Sequence, residues 1–225
     1  MAYRRDVNPL TLSLPFEGRW LAQNSPARRV PSHGTEVFGM AHAIDFVHVG
    51  ERGRSAPIGL GAFLGTEPPE RFAGFGAPIL APCDGTVVAV HDGEPDHVAR
   101  RSPLTLLPYM LTQATRVREG VAAVAGNYVT LEHHGRYVTL VHLQRGSLLV
   151  APGDEVSDGA QLARCGNSGN STEPHVHLQA NDHPDMRRAR AVPIRFRDYR
   201  EWPRRGTPGD VELGVPASGA IVAAR

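Results

Sequence analysis

The sequence predicts a mostly β fold: an antiparallel sandwich of short strands with long loops and little helix. Three observations lead there. Glycine (24) and proline (19) are frequent and fall between short apolar runs, so the chain turns often and its regular elements are short. The runs are rich in valine, isoleucine and leucine. Several alternate with period two, as in Thr86-Val87-Val88-Ala89-Val90 and Tyr137-Val138-Thr139-Leu140-Val141, which covers one face of a sheet. Two Ala-Pro turns, Ala81-Pro82 and Ala151-Pro152, precede similar Gly and Val patterns, a faint symmetry that suits a sandwich of two related halves.

The expected strands, in order, are Ala43–Val49, Gly85–Val90, Tyr128–His133, Tyr137–Leu143 and His175–Gln179. The third and fourth flank His134-Gly135-Arg136, a hairpin with glycine at the tight position. Ala151-Pro152-Gly153-Asp154-Glu155-Val156 is a turn entering a further short strand. Between His91 and Gly126 the pattern is irregular. Tyr109–Arg118 reads as one modest helix, against which Pro108 and the β-branched residues work. The tail beyond Arg187, rich in Arg and Pro, has no clear period and is expected to wrap the surface or lie partly loose. With no linker in view, 225 residues read as one domain. Its expected core is 30–182 with an insertion at about 91–126, flanked by an N-terminal extension 1–29 and a C-terminal extension 183–225.

Composition excludes several function classes. Lysine plus arginine number 24 against 23 aspartates plus glutamates, a formal charge of +1. Basic residues cluster only in pairs such as Arg28-Arg29, Arg100-Arg101 and Arg187-Arg188, so no nucleic-acid-binding face is expected. Cys83 and Cys165 make neither a disulfide framework nor a thiolate metal site, and buried free thiols are expected. Met1 to Trp20 lacks the basic start and apolar run of a secretory signal. No stretch approaches the roughly 20 apolar residues of a transmembrane helix. The expectation is a cytoplasmic monomer, unless export follows an unrecognised route.

The chemistry begins at Pro174-His175-Val176-His177-Leu178. Two histidines two apart on a strand share a face, with Cα atoms about 6.6 Å apart. One can hold a metal while its neighbour reaches substrate or water; in isolation such a pair reads more readily as two surface histidines. A run of turn formers, Cys165 to Glu173, leads onto this strand, and His142 closes the apolar run Thr139-Leu140-Val141. Asp45 lies in Ala43-Ile44-Asp45-Phe46, where a carboxylate is costly unless paired or bound to a cation.

Taken together, Gly126-Asn127-Tyr128-Val129-Thr130-Leu131, Val141-His142-Leu143, Gly166-Asn167-Ser168-Gly169-Asn170-Ser171 and His175-Val176-His177 resemble the lysostaphin and LytM family of zinc endopeptidases. Ala81-Pro82-Cys83-Asp84-Gly85-Thr86-Val87 and Pro152-Gly153-Asp154-Glu155-Val156 resemble that family's strand-entry turns, and the likeness runs from about Val30 to Asp182. It implies a barrel-sandwich hybrid, the duplicated hybrid motif, and a peptidoglycan stem or cross-link as substrate. It also implies His177 and Asp45 as zinc ligands, with His142 and His175 as the catalytic pair. The family's other histidine stands four residues before the aspartate, where this chain has Ala41. Two replacements remain open. His33, in the loop Pro31-Ser32-His33-Gly34, is preferred; His42 would need a bulge to turn inward from the opposite strand face.

Two histidines and one aspartate suit Zn²⁺ with a fourth position left to water. No His-Glu-x-x-His motif supplies a glutamate base, and Glu173 reads as a solvated loop side chain. Two rival readings stay in view. One is a catalytically silent binding or regulatory module, favoured by the displaced first histidine. The other is a zinc hydrolase acting on a non-wall peptide, favoured by the missing export signal.

Overall fold

The structure is a computed structural model and describes residues 8–59 and 61–225. The first seven residues of the expected N-terminal extension therefore lie outside the described residues. Strands form where β-branched and aromatic residues alternate. They are β1 (Leu10–Leu12), β2 (Trp20–Gln23), β3 (Ile44–His48), β4 (Pro78–Leu80), β5 (Gly85–His91), β6 (Asn127–His133) and β7 (Arg136–Leu143). After them come β8 (Glu155–Val156), β9 (Gln161–Arg164), β10 (Val176–Asn181), β11 (Ala191–Val192), β12 (Ile194–Trp202), β13 (Gly209–Gly214) and β14 (Ile221–Ala224). Helix is short and sparse: α1 (Gly61–Leu64), α2 (Pro103–Leu111), α3 (Gln113–Glu119) and α4 (Val121–Ala125). The fold is mostly β, as the punctuation of the sequence predicts.

Twelve strands make one large mixed sheet in the order β1-β12-β14-β2-β3-β10-β7-β6-β5-β8, with β11 on β10 and β13 on β12. The path is open at both ends and closes no barrel. Pairing is antiparallel except between β1 and β12. A second sheet, β4-β9, lies over it. Ile79, Leu162 and Ala163 from the small sheet share one buried cluster with Ile44, Phe46, Leu140, Val176 and Leu178 from the large one. Phe16, Trp20, Phe46 and Phe196 meet there with ring centroids 4.5 to 5.5 Å apart. These contacts use one face of β3, the face of Ile44 and Phe46. Strand alternation sends Asp45 and Val47 to the other face.

Two backbone features decide where the site can form. His133 pairs with Arg136 across His134 and Gly135, both at positive φ (51° and 72°), the two-residue turn whose twist matches the strands it joins. At the other end of the hairpin, Asn127 pairs with Leu143 but Tyr128 pairs with Val141, leaving His142 as an extra residue at φ 64°. His142 is thus a β-bulge, and a bulge turns its side chain out of the strand's alternation.

Two expectations are corrected. The insertion holds three helices rather than one over Tyr109–Arg118. Ser102 caps α2, accepting the Leu104 amide, with Pro103 at its first turn, so that helix starts upstream of the apolar signal. The chain breaks at Thr112 before α3 and at Gly120 (φ 114°) before α4. The tail is not loose: β11 to β14 lie in it, and Val192, Ile194, Phe196, Tyr199 and Val222 are buried in the core. Its arginines hide the alternation by occupying the outward positions of β12. Both cysteines are free and buried. Burial pushes the Cys83 thiol up to about 12, with Asp158 and Asp84 adding to it, and burial raises Cys165 as well. No helix among the described residues is long and apolar enough to cross a membrane.

Candidate metal centre

Asp45 is the hub. It pairs with His177 of β10 and with Gln23 of β2, and its side chain is nearly buried (6% exposed). Oδ2 accepts a hydrogen bond from Asn24 Nδ2 at 2.7 Å and lies 3.0 Å from His33 Nε2. Oδ1 lies 2.8 Å from His177 Nδ1 and 3.8 Å from His175 Nε2. Burial by itself raises the Asp45 carboxyl; His33, His177 and His175 outweigh it and hold the group well below the usual carboxylate range. His33, Asp45 and His177 each present a ligand atom within 4.8 Å of the others, a grouping that could hold a metal ion. His42, the other candidate, sits at the end of a 3-10 segment, Val37–His42, outside this group.

The outer nitrogens of the two grouped histidines are anchored. His33 Nδ1 lies 2.9 Å from Ser32 Oγ, whose hydroxyl reaches the Met40 carbonyl at 3.3 Å. His177 Nε2 lies 3.1 Å from Gln179 Oε1. The amide of Gln179 donates in turn to the Phe38 carbonyl at 2.8 Å and to Asn181 Oδ1 at 2.7 Å. Asn181 Nδ2 donates to Gly39 O at 3.1 Å. Phe38 and Gly39 both sit at positive φ (57° and 72°), which aims these carbonyls at β10. A Cβ on Gly39 would lie 2.0 Å from Asn181 Nδ2, so only glycine fits.

His177 therefore faces an acceptor at each ring nitrogen, Gln179 Oε1 and the Asp45 carboxylate. Burial lowers its pKa, although Asp45 pulls the other way, and a neutral imidazole has one proton to give. When Gln179 takes it, the Nδ1 lone pair points at a carboxylate. That arrangement repels unless a cation lies between them, which is the condition a metal ligand meets.

His142 and His175 form the flank. Their ring centroids are 4.6 Å apart, and His142 is 6.0 Å from His177. His142 Nδ1 donates to the Ser168 carbonyl at 2.9 Å, which leaves Nε2 as the unprotonated nitrogen. Burial, reinforced by His175 and His177, holds its pKa well below the usual histidine value. His175 Nδ1 donates to the Glu173 carbonyl at 2.8 Å, with Ser171 Oγ at 3.0 Å. Ser168 is set by close backbone approach: a Cβ on Gly126 would lie 2.4 Å from Ser168 Oγ, and one on Gly169 would lie 2.4 Å from Gly126 N.

The structure thus brings together all five residues that the sequence singled out. Sequence reasoning passed over the groups that orient them. Asn24 and Ser32 carry no local signal. Gln179 and Asn181 did have one, since they continue the period-two face begun by His175 and His177. His97 packs against the loop before β10: its Nε2 lies 2.8 Å from Gly169 O, and Tyr109 of α2 reaches the same carbonyl at 3.2 Å. Glu173 is tied at 2.6 Å to Ser55 Oγ rather than standing free in solvent.

Residues 110–188 match the family model of Peptidase family M23, a span that includes His142, His175 and His177. The chain is 40% identical over 55 residues to the peptidoglycan DD-endopeptidase ShyA of Vibrio cholerae, covering 24% of this chain and 13% of that protein. It is 33% identical over 104 residues to an uncharacterized metalloprotease of Haemophilus influenzae, covering 46% of this chain and 16% of that protein. These matches span less than a fifth of either relative. Among solved structures, the catalytic domain of lysostaphin from Staphylococcus simulans aligns over 78% of this chain and 88% of its own, with 16% identity and a TM-score of 0.39. Over the matched span, which carries His142, His175 and His177, the chain is similar to peptidase family M23.

Proposed function

We propose that the chain is a zinc-dependent endopeptidase that hydrolyses peptide bonds in peptidoglycan stems or cross-links. One observation carries the reading: His33 Nε2, the Asp45 carboxylate and His177 Nδ1 converge, with the imidazoles of His142 and His175 beside them. Two nitrogen donors and one oxygen donor fit Zn²⁺, and three protein ligands are the number that leaves a position open for chemistry. When bound, zinc would supply Lewis acidity, polarising the scissile carbonyl and making water acidic near neutral pH.

The chain's own residues then have distinct tasks. Gln179 and Ser32 hold the ligand histidines in the tautomers that turn a lone pair inward. Asn24 keeps one oxygen of Asp45 oriented. His142 Nε2, kept unprotonated by burial, is placed to take a proton from the attacking water. His175, fixed through Nδ1 by the Glu173 carbonyl, presents Nε2 to hold the developing oxyanion or return a proton to the leaving amine. The substrate class comes from the similarity to ShyA, whose name records peptidoglycan DD-endopeptidase activity.

The test is metal analysis of the purified full chain together with mass spectrometry of cross-linked muropeptides after incubation. About one zinc per chain and cleavage that a chelator abolishes are expected. A chain without stoichiometric metal and without cleavage is a silent module. Cleavage of other peptides but not of muropeptides would move the substrate away from the wall. A further expected result concerns Gln179. Gln179→Leu removes the acceptor that fixes the His177 tautomer, and zinc affinity should fall roughly 10–100-fold in a competition titration. Gln179→Glu keeps the acceptor and should fall less. Equal affinities across the three proteins would show that the tautomer needs no such anchor.

A further inference from the structure

The proposed metal ligands and the two flanking histidines are held by different parts of the chain. The side chains of His33, Asp45 and His177 bond to one another and to Asn24, Ser32 and Gln179. His142 and His175 instead lean on main-chain carbonyls of the segment before β10. His142 Nδ1 donates to Ser168 O and His175 Nδ1 to Glu173 O. Where those carbonyls point therefore decides where both flanking rings point. Yet the segment contains Gly166 and Gly169, and glycine gives the backbone more freedom than any other residue. Gly169 matters most, because it follows Ser168 directly and sits at φ 69°.

The insertion supplies what holds this segment. Asp96 Oδ1 accepts the Asn167 amide at 2.7 Å, and Asn167 Nδ2 donates to the His97 carbonyl at 2.6 Å. The Gly169 carbonyl accepts twice, from His97 Nε2 at 2.8 Å and from the Tyr109 hydroxyl at 3.2 Å. Asn170 N donates to Val124 O at 2.9 Å, and Arg100 N donates to Thr172 O at 2.7 Å. Tyr109 is set in turn by two guanidinium groups over its ring, Arg100 at 4.5 Å and Arg116 at 3.7 Å from the centroid. A cation over the face of such a ring is attracted by its quadrupole, so the hydroxyl is aimed rather than free to swing. The half-buried His97 ring is met on its other edge as well, with Arg100 Nη1 3.2 Å and Asn167 Nδ2 3.3 Å from Nδ1.

We propose that His97 is a positioning residue of the site: by holding the Gly169 carbonyl, with Tyr109 as the second donor, it fixes the Ser168 carbonyl and through it the orientation of His142. With the Gly169 carbonyl released, the neighbouring Ser168 carbonyl can swing. A His142 ring without that acceptor can carry its proton on either nitrogen. This inference rests on the endopeptidase reading for the part that His142 plays. His97 supplies no metal ligand and takes no part in the bond-breaking chemistry. Its loss should leave zinc in place, because the partners of the ligand group lie in residues 24–45 and on β10.

The experiment compares full-length, zinc-loaded variants with the wild type in two ways, by kinetics on cross-linked muropeptides and by ¹⁵N NMR of histidine-labelled protein. His97→Ala removes the donor; His97→Leu removes it while keeping packing volume, should alanine fail to fold. His97→Gln places an N–H donor near the position of Nε2. In the donorless variants kcat should fall roughly 10–100-fold, the cost of misplacing a reacting group by about 1 Å, with KM and zinc content unchanged. His97→Gln should recover most of the loss. Tyr109→Phe, which leaves one of the two donors, should lose about threefold. In the spectra the His142 ring, assigned by its absence in His142→Gly, should be the Nδ1–H form in wild type and His97→Gln. It should be a mixture of tautomers in the donorless variants, a change that lowered stability alone would not produce. Wild-type kcat and a single tautomer without the donor overturn the proposal, as does glutamine performing no better than leucine, or zinc lost along with His97. The NMR arm separates the two readings. If the wild type cleaves no muropeptide, a tautomer mixture that glutamine restores keeps the positioning role and removes the endopeptidase. Zinc-dependent cleavage with one His142 tautomer in every variant does the reverse.

Discussion

His177→Ala leaves the protein without its metal. The variant should purify with far less than one zinc per chain, its affinity reduced beyond the roughly 10–100-fold that loss of an outer-layer partner causes. Among the described residues, His177 supplies one of three converging donors, and its Nδ1 lies 2.8 Å from Asp45 Oδ1. The loss should also register as stability. A ligand that binds only the folded chain adds about 4.1 kcal/mol when free at roughly 1,000 times its Kd. The wild-type melting temperature should therefore drop on chelation, while that of His177→Ala should not respond. Circular dichroism checks that the variant keeps its sheet. Stoichiometric zinc in His177→Ala, or a wild-type melting temperature indifferent to chelators, would end the metal assignment.

At His142 the two properties should separate. His142→Gly is expected to keep its zinc and lose turnover by about 10²–10⁴-fold, the usual worth of a positioned general acid or base. The backbone adds a second readout. His142 sits at φ 64° in a bulge, a conformation that costs a residue with a Cβ about 1–2 kcal/mol and glycine almost nothing. By denaturant unfolding, His142→Gly should therefore be the more stable of the two truncations, by about 1 kcal/mol over His142→Ala. Asn, which tolerates this region, should fall between them. Full activity in either truncation would remove His142 from the chemistry. A stability order with alanine on top would mean that the bulge has rearranged.

The proposed ligand set departs from the spacing of the family that the sequence resembles, and the backbone gives a reason. The position four residues before Asp45 is Ala41, almost buried (8% exposed) and unable to ligate. His33 reaches the same carboxylate from a loop twelve residues upstream. It is held there by Ser32, whose hydroxyl and amide both point back to the 40–41 stretch: Ser32 N donates to Ala41 O at 2.9 Å and Oγ to Met40 O at 3.3 Å. The loop is hydrogen-bonded to the segment that would otherwise have carried the ligand. His42 neighbours that segment, yet a 3-10 turn with positive φ at Phe38 and Gly39 carries the chain past the site.

The helical insertion illustrates a limit of reading from pattern. Its apolar residues, Leu104, Leu107 and Leu111, are exposed rather than buried, so apolar periodicity misplaces its boundaries. What anchors the insertion is polar. His97, Tyr109 and Arg116 bind the 169–170 turn, with Arg116 Nη1 donating to Asn170 Oδ1 at 2.6 Å. The signal for that packing is a set of single residues with no period.

The strands that build the floor of the site were legible because their chemistry is local. Val-rich runs with period two can do little but cover a sheet face, and turn-formers such as His134-Gly135 close hairpins within a few residues. The same locality made His175 and His177 readable as a pair on one face. Asp45 was conspicuous because a carboxylate in an apolar run requires a partner. The remaining decisions belonged to tertiary structure. Whether His33 or His42 faces the carboxylate depends on how a loop folds back across strands that join it only in the finished sheet. That His142 turns toward His175 depends on a one-residue slip against β6. That the tail is part of the sheet depends on β12 finding β1, β13 and β14. Each is a contact between residues far apart in the chain, and its free energy exists only once the sheet has brought them together.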